Sequence, residues 1–217
     1  MTQSRLTCLL LVGVSLVAVG GCAAFRSGET QPPASWPISK GPGKQSISLL
    51  VTGEGIVNNK RQDAPQQAIQ IWQEAAVKSY KDSGLFSEVK IGAAATDLRS
   101  EIHIVDRGEA SMGLAMLSGF TLTLFPANGQ EDFILNTTLK NQEGKELGTF
   151  EKKETMSFWI QFFLIFIMPF NWPNTVVSEM LYDLNRATIS QAHSAGLFQA
   201  WQMTEPVHLA GEARPLH

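Results

Sequence analysis

Cysteine is almost absent from this chain: Cys8 and Cys22 are the only two in 217 residues. That count excludes a framework of several disulfides. The four histidines, His103, His193, His208 and His217, stand alone, so no metal-ligand spacing forms among them. His193 reads as a solvated residue near a helix end, where a positive imidazole suits the dipole. Charged residues are sparse at 17%, the net charge is -3, and there is no basic run. Such a chain is a poor partner for nucleic acid or for an electrostatic membrane surface. No Gly-x-Ser-x-Gly elbow is present. Gly53-Glu54-Gly55 lacks the third glycine and the lysine of a phosphate loop and reads as a turn after a strand. Asp106 with Glu109, or Glu151 with Glu154, can be written as carboxylate pairs, but pairs of that kind arise by chance in any soluble domain. The five tryptophans are dispersed and form no box. No residue is assigned a catalytic, metal-binding or cofactor-binding role, and the chain does not read as an enzyme.

What is present is concentrated at the start. Arg5 supplies a positive charge, and Leu6 to Val19 form an apolar core too short for a comfortable membrane span. Val19-Gly20-Gly21-Cys22 follows. This string resembles the lipobox of bacterial lipoprotein precursors, in which an aliphatic residue and two small residues precede a cysteine. The resemblance covers residues 1–22. It implies a signal peptide, residues 1–21, cut before Cys22, with diacylglycerol on the Cys22 thiol and an acyl chain such as palmitate on its amine. A single acyl chain binds a membrane only marginally, whereas two or more anchor it stably. Ala23 stands where an aspartate would resemble an inner-membrane retention signal. The resemblance therefore implies the periplasmic face of the outer membrane, the inner membrane being the other address.

Loss of residues 1–21 removes Arg5 and moves the net charge from -3 to -4. Residues 22–45, with Pro32, Pro33, Pro37 and Pro42 among Gly, Ser and Lys, read as a flexible tether. Residues 46–198 are long enough for one domain built on a hydrophobic core, and 199–217 read as a loose tail. Within the domain, Ser46–Val51 is a short strand. Asp63 and Pro65 open a helix carrying Ile69, Trp72, Ala76 and Tyr80 on one face. Ser83-Gly84-Leu85-Phe86 ends it. Phe86–Ile91 is the next strand, with Val89 and Ile91 inward, and Glu101–Asp106 the third. Phe133–Lys140 and Lys145–Glu151 form a hairpin. A last helix spans about Asn174 to Ala195 and stops at Gly196-Leu197-Phe198. The order predicts an α+β fold: a mostly antiparallel sheet with two helices packed on one face, plus two apolar segments at one end. At the level of element order it resembles small α/β envelope lipoproteins and modules, such as the lipopolysaccharide-assembly lipoprotein and the amino-terminal domain of TolB.

The two segments, 110–126 and 156–173, contain no charged residue. Both fall short of the ~20 residues of a spanning helix. The third strand runs into one and the hairpin's second strand into the other, so both should leave the same end of the sheet. Leu114, Leu117, Phe120, Phe158, Trp159, Phe162, Phe163, Phe166, Phe170 and Trp172 are the candidate contact residues. Three fates compete for them: packing in the core, partial insertion in a bilayer with Trp159 and Trp172 at the headgroups, or cover by a partner protein. The expected function is a lipid-anchored, non-enzymatic accessory or scaffold subunit of an envelope assembly or transport system, with an envelope partner or self-association. The alternatives are a lipid-binding module sheltering acyl chains and, with less in its favour, an envelope hydrolase.

Overall fold

The computed structural model describes residues 21–28, 30–39, 45–110, 127–161 and 173–198. The lipobox residues Val19 and Gly20, the bulk of both apolar segments (111–126 and 162–172) and the tail 199–217 lie outside the described residues. The elements in chain order are β1 (Gly21–Arg26), β2 (Gln45–Val57), β3 (Lys60–Asp63), α1 (Gln66–Asp82), β4 (Phe86–Ile91), β5 (Leu98–Ala110), β6 (Ala127–Asn141), β7 (Glu146–Gln161) and α2 (Pro173–Ser194).

These strands make one sheet in the order β1-β7-β6-β5-β2-β3. β3 and β4 share one edge of β2: β4 pairs with Gln45 to Leu49, and β3 with Glu54 to Val57. The pairs β1–β7, β2–β3, β5–β6 and β6–β7 are antiparallel, whereas β2 runs parallel to both β4 and β5. The architecture is thus α+β, with a parallel centre around β2 that α1 makes possible. A strand and its parallel neighbour need a crossover, and α1 supplies it between β2 and β4.

Alternation drives the packing. Ile47, Leu49 and Val51 on β2 face the same way as Leu98, Ile102 and Ile104 on β5 and Phe133 and Leu135 on β6, and all are buried. Trp72, Ala76 and Tyr80 on α1 and Met180, Leu181 and Leu184 on α2 close the other side of this core. Each buried Val, Leu, Ile, Phe or Met side chain among them contributes about 1.5–3 kcal/mol. α1 lies against β2 and β4, α2 against β7 and β1, and the helices touch each other. The Tyr80 hydroxyl bonds Ser100 Oγ at 2.8 Å, and burial pushes its pKa up to about 12.

Several expectations are corrected. Residues 21–26 are a paired strand, and Trp36 and Ile38 pack against the core, so these parts of the stretch read as a tether are docked on the domain. Gly53-Glu54-Gly55 lies inside β2 rather than in a turn; a Cβ at Gly53 would collide with the Ile104 carbonyl and the Trp72 ring. Of the β4 residues assigned inward, Val89 is half-buried but Ile91 is 57% exposed. β6 and β7 reach well beyond the predicted hairpin, so the stretch 156–161 of the second apolar segment belongs to the sheet.

Candidate functional site

The end of the sheet at which β1 begins holds Gly21, Cys22, Phe158 and Trp159 of the residues that the sequence singled out. β1 pairs with β7 so that Gly21 stands opposite Gln161 and Cys22 opposite Ile160. On the other side of β7, Ala127 at the start of β6 also stands opposite Ile160, and Ala110 at the end of β5 opposes Gly129. The chain therefore leaves β5, enters β6, leaves β7 and begins β1 at one end. The strands also outrun the helix there. From Glu154 to Gln161 β7 covers about 24 Å, while from Asp183 back to Pro173 α2 covers only about 15 Å.

β1 is fastened at its inner end by charge. Arg26 donates to Glu154 through Nε and Nη2 at 2.8 and 3.1 Å, and to Asp183 of α2 through Nη1 at 2.8 Å. The Glu154 side chain is fully buried, whereas Arg26 and Asp183 are 23% and 19% exposed. Burial by itself would lower the Arg26 pKa, but its bonds to Glu154 and Asp183 outweigh this and hold it above the ordinary value. Arg186 donates to the second Asp183 oxygen at 3.0 Å and lies over the rings of Trp36 and Tyr182. Trp36 Nε1 donates to Tyr182 Oη, which donates to Asp82 of α1 at 2.9 Å. Backbone bonds from Ser27 to Thr155 and from Ile38 and Ser39 to Ser83 complete the docking of residues 21–39.

Near the same end, on the side of the sheet that carries the core, Asp106 of β5 and Glu131 of β6 are brought near each other. Asp106 stands opposite Phe133 and Gly108 opposite Glu131. Burial raises the Asp106 carboxyl to about 6. Burial, and then the charge of Asp106, raise Glu131 to about 7. Glu131 therefore keeps its proton to higher pH than an ordinary glutamate. Asp106 acts on a cross-strand carboxylate, Glu131, and Glu154 is bound by Arg26; the Glu109 side chain lies outside the described residues. Among the described residues no group of three His, Cys, Asp or Glu side chains could hold a metal ion.

Of the candidate contact residues, Phe158 is half-buried against the core and Trp159 is 40% exposed. Leu114, Leu117, Phe120, Phe162, Phe163, Phe166, Phe170 and Trp172 lie outside the described residues. No helix among the described residues is long and apolar enough to cross a membrane. His103 Nδ1 faces Thr52 Oγ1 at 3.1 Å on the exposed side of the sheet, and His193 sits in the last turn of α2. The Arg26 clamp was missed by the sequence reading. Its one signal was Glu154, a carboxylate in step with the inward residues Phe150 and Met156.

No family model matches the chain, and no curated protein matches it in sequence. Among solved structures, a PelC dodecamer from Paraburkholderia phytofirmans is similar at 10% identity and a TM-score of 0.37, over 79% of this chain and 95% of that one. A putative neuraminyllactose-binding hemagglutinin homolog from Helicobacter pylori is similar at 10% identity and a TM-score of 0.33, over 57% of this chain and 68% of that one. Likeness of this degree assigns no activity to the chain.

Proposed function

We propose that this chain is a membrane-anchored periplasmic lipoprotein that serves as a non-enzymatic scaffold or accessory subunit of an envelope assembly or transport system. Cys22 is the lipidated residue, the outer membrane its address, and Val19, Gly20 and Gly21 the processing signal. Both helices cover one face of the mostly antiparallel sheet in this reading and leave the other face for solvent or a protein partner. One observation carries it: the strand that bears Cys22 and the roots of both charge-free segments meet at a single end of the sheet. An anchor and the roots of two apolar segments at one end make that end the membrane-directed one in this reading. The opposite end, with the β6–β7 turn, is then presented to the envelope space.

The test is membrane fractionation of a Cys22→Ser variant exported through an ordinary cleavable secretory signal. A folded, soluble periplasmic product is the expected outcome if lipid is the principal anchor. Wild-type protein that carries no acyl group on Cys22 by mass spectrometry would end the lipoprotein reading.

A further inference from the structure

We infer that the phospholipid bilayer lies directly against the end of the sheet where β1 begins, with Phe25 and Trp159 at headgroup level. The domain then stands end-on on the membrane instead of swinging from it. The inference rests on the lipidation of Cys22 proposed above.

The argument is one of reach. Cys22 lies within a strand whose pairing with β7 extends from Gly21 to Arg26. Acyl chains on Cys22 bring the bilayer surface to a backbone that is already hydrogen-bonded into the domain. From Cys22 to Phe25 an extended chain spans at most about 10 Å, comparable with the headgroup zone of about 5–7 Å that flanks the ~30 Å hydrocarbon core. Arg26, the next residue, is fixed to a buried carboxylate on β7 and a second one on α2. No slack is left between anchor and domain.

The side chains at that level suit a bilayer. Ala23 stands opposite Trp159 and Phe25 opposite Ser157, and strand alternation puts Phe25 and Trp159 on the same side of the sheet. They are diagonal neighbours, about 7–8 Å apart in such a pairing, and are 41% and 40% exposed. Tryptophan concentrates at the headgroup boundary, and phenylalanine joins it on apolar faces buried at the headgroup–acyl boundary. Farther from the end the same side turns polar, with Thr155 and with Lys153 bound to Asp132 at 2.8 Å. The surface thus changes from aromatic to charged within a few residues of the anchor, as a domain seated on a bilayer requires.

Processed, acylated protein has no free thiol, since Cys8 lies in the signal and Cys22 carries lipid. Trp159→Cys and, in the exposed β6–β7 turn at the other end, Glu143→Cys can each be labelled with a small environment-sensitive fluorophore. The acylated variants are placed in phosphatidylethanolamine–phosphatidylglycerol vesicles containing headgroup-level nitroxide lipid. Quenching several-fold stronger at 159 than at 143 is expected. Equal, weak quenching at both positions in acylated protein that floats with the vesicles would overturn the end-on pose alone. Protein without acyl groups that fails to float would overturn the lipoprotein reading, and this inference with it.

Discussion

Arg26 is the residue on which the anchor strand depends. Its guanidinium is the charge that neutralises Glu154, whose side chain is fully buried. Removing one partner of such a pair leaves the other charge desolvated and uncompensated, which is the costly event. Arg26→Ala should therefore destabilise the domain by about 3 kcal/mol, read as a fall in the urea midpoint. The double variant Arg26→Ala/Glu154→Gln should recover part of that loss, because the stranded charge is gone, and a cycle built from the four proteins checks it. An additive cycle would mean that the two side chains do not act on each other. Position 26 carried no warning in the sequence. A single arginine in a stretch rich in proline and small residues has the composition of a linker, and its partners at 154 and 183 are distant in sequence. The resemblance to a lipobox, in contrast, rests on four adjacent residues, Val19 to Cys22.

Elements were legible where burial writes a period. α1 shows one apolar face and its stop, Ser83-Gly84-Leu85-Phe86, was read from the sequence; Gly84 indeed has a φ of +70°. A Cβ there would also meet the Ser39 carbonyl, so Gly84 is where the docked amino-terminal segment crosses the helix end. Gly84→Ala should cost about 1–3 kcal/mol from the left-handed backbone alone. It should also free residues 36–39, seen as faster amide exchange at Ile38 and Ser39, the two donors to Ser83. Unchanged exchange at those amides would separate the docking from the turn. β1 and β3 escaped the sequence reading for different reasons. β3 is exposed along its whole length, so burial imposes no pattern on it. Its signal was the turn: Asn58 and Asn59 both have positive φ, 48° and 62°, as a two-residue type I′ hairpin demands. β1 is a strand of small residues whose burial comes from β7 beside it rather than from its own apolar content.

At the scale of the whole molecule, the half-buried carboxylates make stability a function of pH in opposite directions. Asp106 and Glu131 have folded pKa values raised to about 6 and about 7. Their contribution is fully present below the unfolded values, 3.8 and 4.5, and is lost as pH rises through the folded ones. Asp97 is held below its ordinary value by the Ser46 backbone and hydroxyl. Asp132 is also lowered: burial opposes the shift, but bonds from Lys153 and Thr155 prevail. These two contribute above the ordinary aspartate value, 3.8, and lose that contribution as pH falls below it. Stability should therefore peak near pH 4 and fall from there to about pH 7, with a urea midpoint higher at pH 5 than at pH 8. Glu131→Gln should raise the pH 8 midpoint and flatten the decline, because an amide carries no charge to desolvate. Asp106→Asn should pull the Glu131 titration downward by removing the neighbouring negative charge, observable as the carboxyl carbon shift of Glu131 against pH. A Glu131 titration unmoved in that variant would show that burial alone sets it. In that case the two strands place the carboxylates near each other without coupling them.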